Sequence, residues 1–314
     1  MHILVTGGCG YIGSVLTPKL LSQGHQVTVF DIMWFGRHFA DHENLHVIQG
    51  DVRDVEFVPM EGIDSIIHLA NIANDPCGEL NAKLSWEVNV LATMGLVEKA
   101  IAHKVKQFIL SSSGSVYGVK EEDDVTEELS LVPITDYNKT KMISERVLLS
   151  YKDQITVQCI RPATVCGYSP RMRLDLSVNM LAMQALVNGR ITVFGGDQTR
   201  PNIHIQDITD VFIHFLNHRE QAPGVYNAGF ENISILDIAK RVTEHVPAEI
   251  IVSESNDPRS YRLNADKLLS IGFKQKHTVN DAIQEIIGAY RNEKLADQDL
   301  WYNIRTMMKI DNLG

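Results

Sequence analysis

The sequence predicts a doubly wound α/β protein, with a parallel sheet covered by helices on both faces and a smaller α/β C-terminal domain. Three observations predict it. The chain opens with an apolar, strand-like run, His2–Thr6, which breaks into glycines at Gly7, Gly10 and Gly13 just where an apolar-periodic helix begins. A second short strand at 26–30 follows that helix and ends at Asp31. Strand candidates then keep alternating with helices, at 2–6, 26–30, 45–49, 65–69, 107–110 and 156–160. Such alternation means a parallel sheet whose ligands gather at the carboxyl ends of the strands.

The first turn has the chemistry of a phosphate cradle. Glycine at Gly7 permits an unusual backbone angle, Gly10 lets main-chain N–H groups approach a diphosphate, and Gly13 lets helix and strand pack closely. The helix at 14–22, stopped by Gly24, then points its positive end at the phosphates. Asp31 stands where a carboxylate accepts hydrogen bonds from an adenosine ribose and repels a 2′-phosphate, so the expected cofactor is NAD and the N-terminal domain is Rossmann-like.

Composition bounds the remaining classes. A chain of 314 residues with 44% apolar residues can bury one large core or two moderate ones. A formal net charge of −10 argues against nucleic acid as a partner. No charged leader precedes the first strand and no apolar run reaches bilayer length, so no membrane partner and a cytoplasmic location are expected. Cys9, Cys77, Cys159 and Cys166 lack paired metal spacing and are read as reduced and structural. The twelve histidines show no ligand pattern either, so no metal is expected.

Polar residues mark the later strand ends. Asp51, in Gly50-Asp51-Val52, is placed to meet an adenine amino group, and Leu69-Ala70-Asn71 offers small side chains beside which a dinucleotide lies close. The stretch 79–103 carries Leu84, Val88, Leu91, Leu96 and Ala100 at helical spacing, with Asn89 among them, and reads as one long core helix.

The chemistry-bearing residues come next. The fifth strand runs into Ser111-Ser112-Ser113-Gly114-Ser115, and an acidic loop leads to Tyr137-Asn138-Lys139-Thr140-Lys141. Tyrosine and lysine four apart share a helix face, so the ammonium stabilises a phenolate and the phenol becomes a base near neutral pH. Such a base takes a proton from a hydroxyl while hydride leaves the same carbon. Ser113 is suited to hold that hydroxyl.

These motifs together resemble the extended short-chain dehydrogenases/reductases, specifically the NAD-dependent epimerase/dehydratase family acting on nucleotide-sugars. The resemblance runs through the glycine turn, Asp31, Gly50-Asp51-Val52, His68-Leu69-Ala70, Asn89, the serine run, Tyr137 and Lys141, Arg161-Pro162, and Arg200-Pro201-Asn202-Ile203-His204. It implies a catalytic set of Ser113, Tyr137 and Lys141. It implies a cofactor site of Gly7, Gly10, Tyr11, Ile12, Gly13, Asp31, Asp51, Val52, Leu69, Ala70, Asn71, Asn89 and Ser111, together with Tyr137 and Lys141. Ser115, Thr164, Arg171, Arg173, Asn179, Arg200 and Arg259 are the candidate substrate residues. Arg200 and Arg259 suit a diphosphate because a guanidinium fork fits its oxygens, although Arg259 fits a surface ion pair equally well. Arg171 and Arg173 suit phosphate or a sugar hydroxyl, and Asn179 suits phosphate or base; the sequence does not choose.

The resemblance also implies residues 1–166 as the NAD-binding domain, with 200–230 returning to it, and 167–199 plus 231–314 as the nucleotide-sugar domain. It implies a homodimer packed through the helices at 79–103 and near Tyr137. Two departures narrow the reaction. The family's 4,6-dehydratases place an Asp-Glu pair where this chain has Gly114-Ser115, which disfavours elimination and leaves epimerisation or net oxidation. Thr164 stands where 4-epimerases usually carry asparagine, and 163–179 is similar to the branch containing GDP-manno-heptose 4-dehydrogenases. The expected function is therefore an NAD-dependent nucleotide-sugar epimerase or 4-dehydrogenase. The alternatives are a non-catalytic dinucleotide sensor, which would typically lack the tyrosine or lysine, and a 4-keto reductase that consumes its cofactor.

Overall fold

The computed structural model describes residues 1–219, 221, 223–254 and 262–310. The strands are β1 His2–Thr6, β2 Gln26–Asp31, β3 Leu45–Gln49, β4 Ser65–His68, β5 Gln107–Ser111, β6 Thr156–Pro162, β7 Thr164–Cys166, β8 Arg190–Phe194, β9 Thr199–His204, β10 Gly224–Ala228, β11 Glu231–Ser234 and β12 Glu249–Ser253. The α-helices are α1 Gly13–Ser22, α2 Asp75–Leu80, α3 Ala82–Trp86, α4 Ala92–Ala102, α5 Asp136–Leu149, α6 Ser177–Asn188, α7 Ile205–Asn217, α8 Ile235–Thr243, α9 Asp266–Ser270, α10 Val279–Arg291 and α11 Asn303–Met307.

Seven strands form one parallel sheet in the order β3-β2-β1-β4-β5-β6-β10. Helices cover both faces, which is why β1 and β5 read as continuous apolar runs and lie buried from end to end or nearly so. The strand order reverses between β1 and β4. A crevice opens at the carboxyl ends of those two strands, where the glycine turn and the 69–71 segment face each other. The smaller domain consists of the sheet β11-β9-β7 and the parallel pair β12-β8, with α6 packed against α8 and α10.

Three features differ from the sequence expectation. The stretch read as one helix over 79–103 is four pieces. Asn81 ends α2 in an extended conformation, and its side chain accepts from Leu84 N to cap α3, a use of asparagine that competes with helix continuation. A π-turn at Glu87–Leu91 then joins α3 to α4, and the Asn89 carbonyl accepts from Thr93 Oγ1 (2.7 Å) and Ser144 Oγ (2.6 Å). The sheet also gains a seventh strand, β10, which has no strong alternation in sequence. Helix α7 delivers it by packing on α1, where Lys19 Nζ reaches Thr209 Oγ1 and Asp210 Oδ1, each at 2.8 Å. Finally, the return to the main sheet begins with α7 at residue 205, since β9 belongs to the small sheet.

Candidate active site

A cleft of about 590 Å³ runs between the two domains, a size typical of ligand sites. The glycine turn forms one wall. Gly7 has φ +71°, and a Cβ there would lie 2.4 Å from Ala70 N; at Gly13 it would lie 2.4 Å from Gly8 O. Gly10 differs: within 4 Å its Cβ would meet only Gly7 O, at 3.2 Å, so that face is open to the cleft. A Cβ there would fill the space a diphosphate needs. The turn therefore fits the dinucleotide by shape as well as by dipole.

Two carboxylates, Asp31 and Asp51, line the cleft beyond the turn, and main-chain N–H groups orient both. Asp31 accepts from Cys9 N (2.9 Å) and Met33 N (2.6 Å), while burial pushes its pKa up. Asp51 accepts from Arg53 N and Nε, both at 2.9 Å, and Arg53 also reaches Glu87. Val52, Leu69, Ala70 and Asn71 line the cleft as well, and Asn71 Oδ1 is buried without a partner among the described residues, an acceptor that suits a ligand donor. Trp34 and Phe35, just after β2, add aromatic walls that the sequence reading missed.

Tyr11 and Ile12 line the cleft at the turn, and the Tyr11 hydroxyl donates to Gly167 O at 2.7 Å, tying the turn to the second domain. Asn89 is placed differently from expectation. Its amide accepts from Ile72 N (2.8 Å) and donates to Thr140 Oγ1 (3.0 Å), so it holds the 71–72 segment from behind and is not a wall of the cleft.

Tyr137 lines the cleft from the first turn of α5. Thr135 caps that helix, accepting from Asn138 N and donating to Asp75 Oδ1 at 2.6 Å, which fixes the start of α5 against α2. Gly78 permits the approach, because a Cβ there would lie 3.0 Å from Tyr137 Cβ. One turn on, Lys141 is buried and its Nζ donates to Ser111 O at 2.8 Å. Burial pushes the Lys141 pKa down to about 7, while Glu145 pulls it upward. Ser115 Oγ donates to Asn138 Oδ1 (2.5 Å), and Ser113 Oγ lies 2.7 Å from Ser115 Oγ and accepts from Ser115 N. Ser111, Ser113, Ser115, Tyr137 and Lys141 all border the cleft.

Behind them, Glu145 accepts from Ser112 Oγ (2.5 Å) and from Arg161 Nε and Nη2 (2.9 and 2.7 Å), a buried pair that stiffens the junction of β5, α5 and β6. The Tyr117 hydroxyl accepts from Arg161 at 2.7 Å and donates to Asn227 of β10 at 2.8 Å.

The candidate substrate residues divide. Thr164, Arg171, Arg173 and Arg200 line the cleft. Arg173 is held by Asp175 (3.0 and 2.9 Å), and Asn74 Nδ2 donates to the same carboxylate at 2.9 Å. Asn74, Asp75, Asp175, Phe194 and Asn303 are further walls that sequence reasoning missed. Asn179 does not line the cleft: its amide accepts from Gly167 N and donates to Tyr11 Oη and Arg173 O, leaving nothing for phosphate or base. Arg259 lies outside the described residues.

A profile described as the NAD dependent epimerase/dehydratase family matches residues 3–229. A UDP-glucose 4-epimerase from Halalkalibacterium halodurans is 30% identical over 308 residues, covering 88% of this chain and 91% of the relative. UDP-glucuronic acid decarboxylase 1 from Xenopus tropicalis is 29% identical over 313 residues, covering 93% of this chain and 72% of the relative. The crystal structure of a UDP-glucuronic acid 4-epimerase from Bacillus cereus, in complex with UDP-glucuronic acid and NAD, has a TM-score of 0.82 at 26% identity and covers 93% of this chain and 100% of its own.

Proposed function

The chain belongs to the NAD-dependent epimerase/dehydratase family, and from that membership and the shape of its cleft we propose that it oxidises the C4 hydroxyl of a nucleotide-sugar. It is an NAD-dependent nucleotide-sugar enzyme of the extended short-chain dehydrogenase/reductase type. The observation that carries the finer reading is the convergence of Tyr137, Lys141 and Ser113 on the cleft that also holds the glycine turn and Asp31.

In this reading Tyr137 acts as a phenolate that Lys141 stabilises and takes the proton of the sugar hydroxyl, becoming a neutral phenol, while Ser113 holds the oxygen in place. NAD, when bound, supplies the hydride acceptor and the source from which hydride returns. The ketosugar then takes hydride on either face or leaves. Gly114 and Ser115 offer no acid or base for removing water, and the Ser115 hydrogen is already given to Asn138. Elimination is therefore set aside in favour of epimerisation or net oxidation. A consumable-cofactor keto reductase remains the alternative and is separated by whether NAD stays with the protein through turnover.

Arg173 and Arg200 are assigned to the substrate, supported by their place in the wall. The named relatives act on UDP-linked sugars, so UDP is the first nucleotide to test and GDP the second. We assign 1–162 and 205–228 to the cofactor domain, supported by β10 in the main sheet and by β7 and β9 in the small one, and the rest to the substrate domain. A homodimer through α2–α5 is supported by exposed Leu80, Trp86, Leu91 and Met94, and light scattering tests it. No helix of the described residues is long and apolar enough to cross a membrane, and we assign the protein to the cytoplasm.

Incubation with UDP-glucose or UDP-glucuronic acid, then GDP-linked sugars, should yield a C4 epimer or a ketosugar by chromatography. Equal turnover by Tyr137→Phe refutes the assignment.

A further inference from the structure

Arg171 is 1% exposed yet borders the cleft. Its guanidinium rests on the Phe35 ring, 3.8 Å from the centroid. Nη2 donates to Asn303 Oδ1 at 2.6 Å and Nη1 to Met172 O at 3.3 Å, but Nε is buried with no partner among the described residues. Among the described residues no carboxylate comes within ion-pair distance. Burial, reinforced by the neighbouring Arg173, pushes the guanidinium down to about 9. A buried cation with a spare N–H and only through-space compensation from Asp175 and Asp31 is costly to keep, and a bound anion relieves that cost.

The surrounding chain decides which anion. Ser169 Oγ donates to Tyr11 O at 2.8 Å and the Tyr11 hydroxyl donates to Gly167 O, so the segment carrying Arg171 is stitched to the glycine turn. Phe35 lies four residues after Asp31, the last residue of β2, and the charges of Asp175 and, after it, Asp31 are felt at Arg171. Arg200, by contrast, stands in β9 of the small domain. The sequence groups Arg171 with the substrate residues, while Phe35 and the stitched 167–169 segment stand beside the glycine turn.

We propose that Arg171 is a cofactor ligand that would hold the diphosphate of NAD together with the glycine turn, and that the C-terminal segment 299–307 fixes its guanidinium through Asn303. This rests on the NAD-binding reading of the cleft. That segment is itself anchored: Trp301 O accepts from Leu174 N at 2.8 Å, and the His38 ring meets Trp301 edge-on at 5.4 Å.

Titrating full-length, NAD-stripped protein with ADP, adenosine and UDP tests this. Arg171→Met should weaken ADP binding on the order of 10- to 100-fold, the loss of a charged hydrogen bond, while adenosine and UDP stay within about twofold. Asn303→Ala should weaken ADP in the same direction by a smaller factor. The proposal is overturned if UDP affinity falls while ADP holds, if ADP and adenosine fall equally, or if nothing changes. Should Arg171→Met fail to fold, Arg171→Lys and Asn303→Ala carry the same comparison. Wild-type protein that binds no ADP would instead remove the cofactor reading beneath it.

Discussion

Lys141 donates from its buried ammonium to the main-chain oxygen of Ser111 at 2.8 Å, which joins the helix bearing Tyr137 to the end of the strand bearing the serines. The relative positions of acid, base and oriented hydroxyl in the proposed reaction therefore depend on a side chain that is costly to bury charged.

That cost has a pH signature. The Lys141 pKa is about 7 in the folded chain against an ordinary 10.5. Between those values the unfolded chain binds a proton that the folded chain lacks, so this group makes stability rise with pH from about 7 to 10.5, and its penalty is full below 7. Lys141→Met should lose turnover by at least about 10²-fold and still melt no lower than wild type near pH 6, with any advantage shrinking as pH rises. A variant melting well below wild type at pH 6 contradicts this.

His68 gives the opposite regime of pH. It is buried between Thr6 (2.6 Å) and Thr93 (3.0 Å), and burial, with Lys141 nearby, lowers its pKa from 6.5 to about 3. The folded chain resists a proton that the unfolded chain accepts, so stability is lost as pH falls below 6.5. At pH 5 the loss from this group is ~2 kcal/mol. Denaturant titrations should show a flatter acid limb for His68→Gln; an unchanged limb rules out His68 as the source.

Two glycines separate folding from binding. Gly7→Ala places a methyl on main-chain atoms at positive φ and should destabilise the protein by about 1–3 kcal/mol. Gly10→Ala meets little protein and should fold normally while losing NAD affinity. Melting curves with and without NAD distinguish them, and equal stability losses would count against the cradle.

Asp31 should set cofactor choice. Asp31→Ser removes the charge that opposes a 2′-phosphate, and the preference for NAD over NADP should fall by on the order of tenfold. An unchanged ratio, measured by paired titrations, assigns discrimination elsewhere.

What was legible in the sequence is what is local. The glycine turn, Asp31 at the end of β2 and the Tyr137–Lys141 spacing each belong to a single local element, so residue type and spacing carry their meaning. Asn89 and Asn179 show the limit: an amide in sequence does not reveal whether it faces a ligand or its own backbone, and both are used internally. Arg171 shows it again, because its environment is made by Phe35 and Asn303, joined only by tertiary packing. The strand β10 was missed because its neighbour β6 and the delivering helix α7, more than its own pattern, define it.

The most direct measurement is the near-ultraviolet absorbance of NAD-loaded protein mixed with UDP-glucose or UDP-glucuronic acid deuterated at C4. The account predicts reduced nicotinamide, slowed by the deuterium and absent in Tyr137→Phe. Sugars that bind and change at C4 with no reduced nicotinamide and no isotope effect would contradict it.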